Sequence, residues 1–147
     1  MKFDFLSESD QAYYIHKAST LTEALPYIRK HSGKYIVIKF GGHTMGDKKL
    51  ANSFSQDIGL LKEVGINPIV IHGGGPQIGE ILKIKNIKSK FIEGLRVTDK
   101  KTVKVVEEVL SKDINSKIVE DINTTGGRAI GLSGHLNNII EAEKLEI

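Results

Sequence analysis

At 147 residues, 39% apolar and 27% charged, the chain has the size and balance of one soluble globular domain rather than a disordered or fibrous one. Its net charge of +3 comes from scattered lysines without aromatic interleaving, which argues against nucleic acid as the main partner and suits a small anionic substrate. The absence of cysteine excludes disulfides, thiolate catalysis and cysteine-ligated zinc, and no apolar run approaches the ~20 residues of a membrane span, so a cytoplasmic protein is expected.

In chain order, Met1 to Asp10 is acidic and lacks the apolar stretch of a signal peptide. Ser7-Glu8-Ser9-Asp10 predicts the cap of a first helix through about Ala18. Thr20-Leu21-Thr22-Glu23 has the capping-box pattern and predicts a second helix with Leu21, Ala24, Leu25 and Ile28 on its apolar face. Pro26 inside it predicts a kink or restart. This helical leader, residues 1–33, either packs on its own domain or docks on another subunit as an oligomerisation helix.

Tyr35 to Phe40 is a β-rich run closed by Gly41-Gly42 and predicts the first strand. Asp47 starts a helix whose face is Leu50, Phe54, Ile58 and Leu61, and Gly65 stops it. Asn67 to Ile71 predicts the second strand, which runs into His72-Gly73-Gly74-Gly75-Pro76. Ile78, Ile81 and Leu82 follow at helical spacing, predicting a helix from about Pro76 to near Asn86. Lys90 to Thr98 is extended and suits a hairpin. Thr98 or Asp99 caps the longest helix, with Val103, Val106, Leu110, Ile114 and Ile118 on one face and Gly126-Gly127 at its end. Arg128 to Leu132 predicts a strand, Gly134 to Asn138 a turn, and Ile139 to Glu143 a last strand. The chain then ends as if more structure followed, and a fragment is the expectation.

This alternation predicts an α/β fold with a mostly parallel sheet and helices on both faces. Ligands in such sheets sit at the carboxyl ends of the strands. The two glycine turns, Gly41-Gly42 and Gly73-Gly75, close consecutive parallel strands and are expected at one edge. A glycine turn before a helix offers backbone N–H groups to an anion. The P-loop string is absent, and the dinucleotide pattern fails because the next glycine after Gly75 is Gly79, one residue out of register.

A third reading is two glycine turns facing one anionic substrate. Lys39, in an apolar strand beside Gly41-Gly42, either stabilises a transferring phosphoryl group or is a surface lysine on an edge strand. Arg96 either grips a carboxylate with its fork or makes an ordinary surface ion pair. His72 lacks an acidic neighbour in sequence, so a structural hydrogen bond is favoured over a general base. His43 and His135 have weaker claims, and the five histidines show no metal-ligand spacing.

Several strings now stand together: Glu23-Ala24-Leu25-Pro26-Tyr27-Ile28, Ile38-Lys39-Phe40-Gly41-Gly42-His43, His72 to Ile78, Gly94-Leu95-Arg96-Val97-Thr98-Asp99 and Gly131-Leu132-Ser133-Gly134. In this order and spacing the chain resembles the acetylglutamate kinases of the amino acid kinase family, from about Leu21 to Glu143. The resemblance implies an open αβα sandwich, truncated here before the nucleotide-binding half. It also implies ATP-dependent phosphorylation of the side-chain carboxylate of N-acetyl-L-glutamate in arginine biosynthesis. ATP with Mg2+ is the co-substrate, held mainly by the half that this chain is expected to lack, so the chain alone is expected to be inactive.

By the same resemblance, residues 34–147 form the acetylglutamate-binding domain. Lys39 is the catalytic lysine, Gly41 and Gly42 lie near the phosphoryl group, and Gly74, Gly75 and Arg96 bind the substrate. The leader resembles the N-terminal helix of hexameric, arginine-inhibited members, implying a homo-oligomer (a dimer or a hexamer) and feedback inhibition by arginine. Departures are His135-Leu136 in place of Lys-Asp, Lys112 in place of glycine and Thr44 in place of alanine. Two alternatives stand beside this reading. One is a kinase for another acidic amino acid or acetylated homologue; the other is a non-catalytic ligand-binding or assembly module.

Overall fold

The computed structural model describes residues 7–41 and 45–143. Helix α1 spans Glu8–His31, and Ser7 caps it by accepting the Asp10 N–H. The expected break near Thr20 is absent. Thr20 and Thr22 donate their hydroxyls to the carbonyls of His16 and Ala18 four residues back, so neither is free to act as an N-cap. Pro26 sits within the helix instead of ending it. It forfeits one backbone bond there while its neighbours keep theirs. The helix buries none of its residues, and Tyr13, Tyr14, Ile15, Leu21 and Tyr27 are exposed. Gly33, at φ +77°, then reverses the chain, and its N–H donates to Gly65 O at 2.7 Å.

Strands β1 (Tyr35–Phe40) and β2 (Asn67–His72) pair in parallel, with Phe40 opposite His72. Helix α2 (Lys48–Glu63) joins them. The Asp47 carboxylate caps it, accepting from Lys49 N–H at 2.8 Å and Leu50 N–H at 3.1 Å. Phe54 of α2 stacks on Phe40 of β1 with ring centroids 3.9 Å apart, which seats the helix on one sheet face. Of the expected α2 face, Ile58 is buried, Phe54 and Leu61 are half-buried and Leu50 is exposed. The strands alternate as a half-covered sheet must. Ile36, Ile38 and Phe40 turn inward, while Tyr35, Val37 and Lys39 are exposed beside Ile69 and Ile71.

Helix α3 spans Gly75–Ile84, ending two residues before Asn86, which has left-handed φ. Strands β3 (Lys90–Ile92) and β4 (Leu95–Val97) form the expected hairpin. Glu93 and Gly94 make its two-residue turn, both at positive φ. Asp99 is the next cap, accepting from Thr102 N–H at 2.7 Å and Lys101 N–H at 3.1 Å. Helix α4 (Lys100–Glu107), a π-helical segment (Glu108–Ile114) and helix α5 (Asn115–Thr124) then run end to end.

The π segment corrects the expected helix face. Its i→i+5 bonding widens the turn and rotates everything after it. Thr102, Val105, Val109 and Ile122 are buried, whereas Val103 is 47% exposed. Ile78 and Leu82 of α3 meet Val105 and Val109 to form the central cluster, with Val106, Leu110 and Ile114 packed around it.

The expected strands 128–132 and 139–143 are not realised. The 128–132 backbone spends its polar groups on side chains: Ala129 N–H donates to Asn123 Oδ1 at 2.7 Å, and Leu132 O accepts from Asn115 Nδ2. Ile130 is 82% exposed, so no packed face holds the segment flat. Gly134 to Asn138 does turn, with Asn137 and Asn138 at positive φ. Among the described residues the sheets are one parallel pair and one hairpin, a mixed α/β fold.

Two outcomes follow from this packing. Leu82→Ala should cost about 2–5 kcal/mol, because Leu82 is 1% exposed at the centre of the cluster; a urea titration checks this. The Asp99 carboxyl is held below its ordinary range, first by the Thr102 N–H. A depressed folded value means a stabilisation present above the unfolded carboxylate range and lost as pH falls through the folded value. Asp99→Asn should therefore flatten this part of the fall in melting temperature at acid pH while keeping the cap.

Candidate functional site

The parallel register places the ends of β1 and β2 level. Gly73 N–H donates to Phe40 O at 3.3 Å, so Gly41 and the glycine triplet leave the sheet at the same edge. Gly42, His43 and Thr44 lie outside the described residues. Lys39 stands one residue before Phe40 and points to the opposite, open face, where it is exposed beside Ile71. His72 shares the inward face with Phe40 and is half-buried.

The glycines are not equivalent. Gly74 is buried, and a Cβ there would lie 2.6 Å from both Leu110 Cδ2 and Ile114 Cδ1. Gly75 is exposed, and a Cβ there would meet nothing within 4 Å. Helix α3 begins with no side-chain cap, and Pro76 in its first turn has no N–H to offer. The N–H groups of Gly75 and Gln77 remain at the positive end of the helix. The Gln77 Oε1 atom is buried without a hydrogen-bond partner among the described residues.

The hairpin brings Arg96 to this turn. Its Nη2 donates to Gly75 O at 3.3 Å and its Nη1 donates to Ser89 Oγ. Phe91, opposite Arg96 in the hairpin register, lies under the guanidinium at 4.6 Å. The fork is thus held from below and from two sides. Its remaining N–H groups can take a planar anion such as a carboxylate.

Asn115, Leu110, Ile114 and Ser89 were not legible as site residues. Asn115 reaches His72 across 43 positions, and no local pattern reports such a contact. Ser89 follows from the hairpin register once Glu93-Gly94 is taken as the turn. A cleft of about 490 Å³ adjoins Asn115. On it, Ser111, Ser133 and His135 form a chain of 2.8 Å hydrogen bonds, and Glu107 lies 3.6 Å from His135 Nε2. No three His, Asp or Glu side chains among the described residues converge to hold a metal ion. No helix among them is long and apolar enough to cross a membrane.

Fold and site together define an α/β protein that gathers glycine turns and a braced arginine at the carboxyl end of parallel strands. The chain belongs to the amino acid kinase family, whose sequence profile matches residues 34–146. It is similar to acetylglutamate kinase of Rhodospirillum rubrum, at 58% identity over 132 residues, covering 90% of this chain and 43% of that protein. It is also similar to acetylglutamate kinase of Citrifermentans bemidjiense, at 59% identity over 131 residues, covering 89% and 45%. The chain thus spans about half the length of the curated relatives it matches.

Among solved structures it resembles N-acetylglutamate synthase from Neisseria gonorrhoeae complexed with coenzyme A and N-acetyl-glutamate. The TM-score is 0.64 at 25% identity, covering 74% of this chain and 25% of that one. It also resembles smu.665 from Streptococcus mutans, with TM-score 0.57 at 29% identity, covering 63% of this chain and 37% of that one.

The two glycines should separate on substitution. Gly74→Ala must push Leu110 and Ile114 aside and should lose on the order of 1 kcal/mol or more by overpacking. Gly75→Ala, with open space at its Cβ, should stay within roughly 0.5 kcal/mol of the parent. Parallel urea titrations of both variants check the contrast.

Proposed function

We propose that this chain supplies the acceptor side of an acetylglutamate kinase: it binds N-acetyl-L-glutamate, whose side-chain carboxylate is phosphorylated by ATP in arginine biosynthesis. The observation that carries the reading is Arg96, braced on Gly75 O at the uncapped start of α3, in a chain 58% identical to an acetylglutamate kinase. The solved neighbour with N-acetyl-glutamate bound adds support from the same fold.

In this reading Arg96 takes a substrate carboxylate, and the N–H groups at Gly74 and Gly75 face the side-chain carboxylate. That carboxylate oxygen bonds to the γ-phosphorus of ATP as the bond from phosphorus to the ADP oxygen breaks. The products are an acyl phosphate and ADP. A carboxylate is already a nucleophile at neutral pH, so no general base is required. Gly41 and Gly42 lie beside the transferring group, and Lys39 neutralises the charge that builds on it. ATP with its Mg2+ is bound mainly by the stretch of the relatives that this chain does not match.

Helix α1 lies ahead of the matched segment and buries none of its residues, which suits docking on another subunit of a homo-oligomer. Feedback by arginine belongs to the same reading, as does a cytoplasmic location.

Calorimetry of the chain with N-acetyl-L-glutamate, N-acetyl-L-aspartate and L-glutamate tests the substrate. N-acetyl-L-glutamate should bind best, and Arg96→Ala should weaken it at least about tenfold. Binding unchanged by Arg96→Ala would overturn the assignment, and preference for another acid would favour a sister kinase. Full acyl-phosphate formation by the 147-residue chain alone would show that the nucleotide contacts lie within it. In a complete enzyme, Lys39→Ala should lower kcat by roughly 10²–10³-fold with little change in KM.

A further inference from the structure

We propose that Asn115 is a positioning residue for the glycine turn: it locks His72 as the Nδ1–H tautomer, and His72 in turn holds the Gly73 carbonyl. This rests on the reading of that turn as the acceptor site only where ligand binding is concerned.

The proton positions follow from two carbonyls. Asn115 Nδ2 lies 3.3 Å from Leu132 O, and a carbonyl only accepts, so the NH2 group faces that way. The same Nδ2 lies 3.3 Å from His72 Nε2. On the other side of the ring, Nδ1 lies 3.1 Å from Gly73 O, again an atom that only accepts. Nδ1 therefore carries the proton, and Nε2 offers its lone pair to the Asn115 amide. Both ring nitrogens are spent, which gives His72 a role other than general base.

The π segment is what delivers Asn115 to this place. Asn115 N–H donates to Leu110 O, an i→i+5 bond. In α-helical register, residues five apart lie on different faces, whereas here they stack. Leu110 and Ile114 press on the Cα of Gly74, while Asn115 reaches the ring that holds Gly73 O. One helix thus fixes two consecutive residues of the turn. Gly131 completes the fit, because a Cβ there would collide with Asn115 Oδ1.

The test is NMR of the ¹⁵N-labelled chain, reading the His72 ring nitrogens and the Gly73–Gly75 amides. The parent should show a protonated Nδ1 and an unprotonated Nε2. Asn115→Asp keeps the shape of the side chain but cannot donate, so the ring proton should move to Nε2 and the turn amides should shift. Gly131→Ala, which leaves Asn115 intact but displaces its amide, should do the same and serves if Asn115→Asp does not fold. A ring still protonated at Nδ1 with unmoved turn amides in the folded variants would overturn the proposal. A merely space-filling role would give that result.

Calorimetry with N-acetyl-L-glutamate adds the functional arm. Asn115→Asp should bind about tenfold more weakly, as when a residue that orients a ligand-binding group is lost. Lys117→Ala, on the exposed side of α5, should match the parent. If the parent itself binds no N-acetyl-L-glutamate, the substrate reading falls, and the NMR result still decides the role of Asn115.

Discussion

The contact on which the site depends is the seat of Gly74 against Leu110 and Ile114. A glycine turn is an anion cradle only if its amides point one way, and glycine by itself has more freedom than any other residue. Here that freedom is removed from behind. The missing Cβ of Gly74 lets two side chains of the long helix close on its Cα. The same side chains belong to the cluster around Leu82 and Val109, so the turn is an extension of the core rather than a loop above it.

The strand pair supplies the second constraint. A parallel register with Phe40 opposite His72 leaves both strand ends level, and the bond from Gly73 N–H to Phe40 O carries the ladder one step past β2. Strict alternation then separates the candidate groups. His72 and Phe40 face the helices, where a ring can be held on both nitrogens; Lys39 faces the open side. Arg96 arrives by a third route, through a tight hairpin that sets it over Phe91 and against Gly75 O. Three elements distant in sequence thus meet around a few backbone groups, as family membership for residues 34–146 leads one to expect.

The sequence by itself determined the features whose causes lie within a few residues. Ser7, Asp47 and Asp99 cap helices because a short acceptor side chain meets N–H groups two or three residues on. Tyr35 to Phe40 and Asn67 to His72 form strands, and Glu93-Gly94 turns a hairpin whose register puts Phe91 opposite Arg96. The strand, glycine turn and helix around Gly73 to Pro76 were legible for the same reason. Local signals misled where a competing bond was available: Thr20 and Thr22 bond backward into α1. They misled again at Arg128 to Leu132, where strand-like residues have no ladder among the described ones and bond to Asn123 and Asn115 instead.

Tertiary structure alone decided the rest. A heptad-like face from Val103 to Ile118 assumes uniform α-helix, and the π turn from Glu108 to Ile114 breaks that assumption to fit Leu110 and Ile114 onto the glycine turn. Which glycine is walled in and which is open, which nitrogen of His72 carries its proton, and why residue 131 lacks a side chain all depend on one asparagine 43 positions away from that histidine. Hydrogen bonds and contacts at such separations leave no periodic trace in a single sequence, because they are selected by shape in space and not by neighbours along the chain.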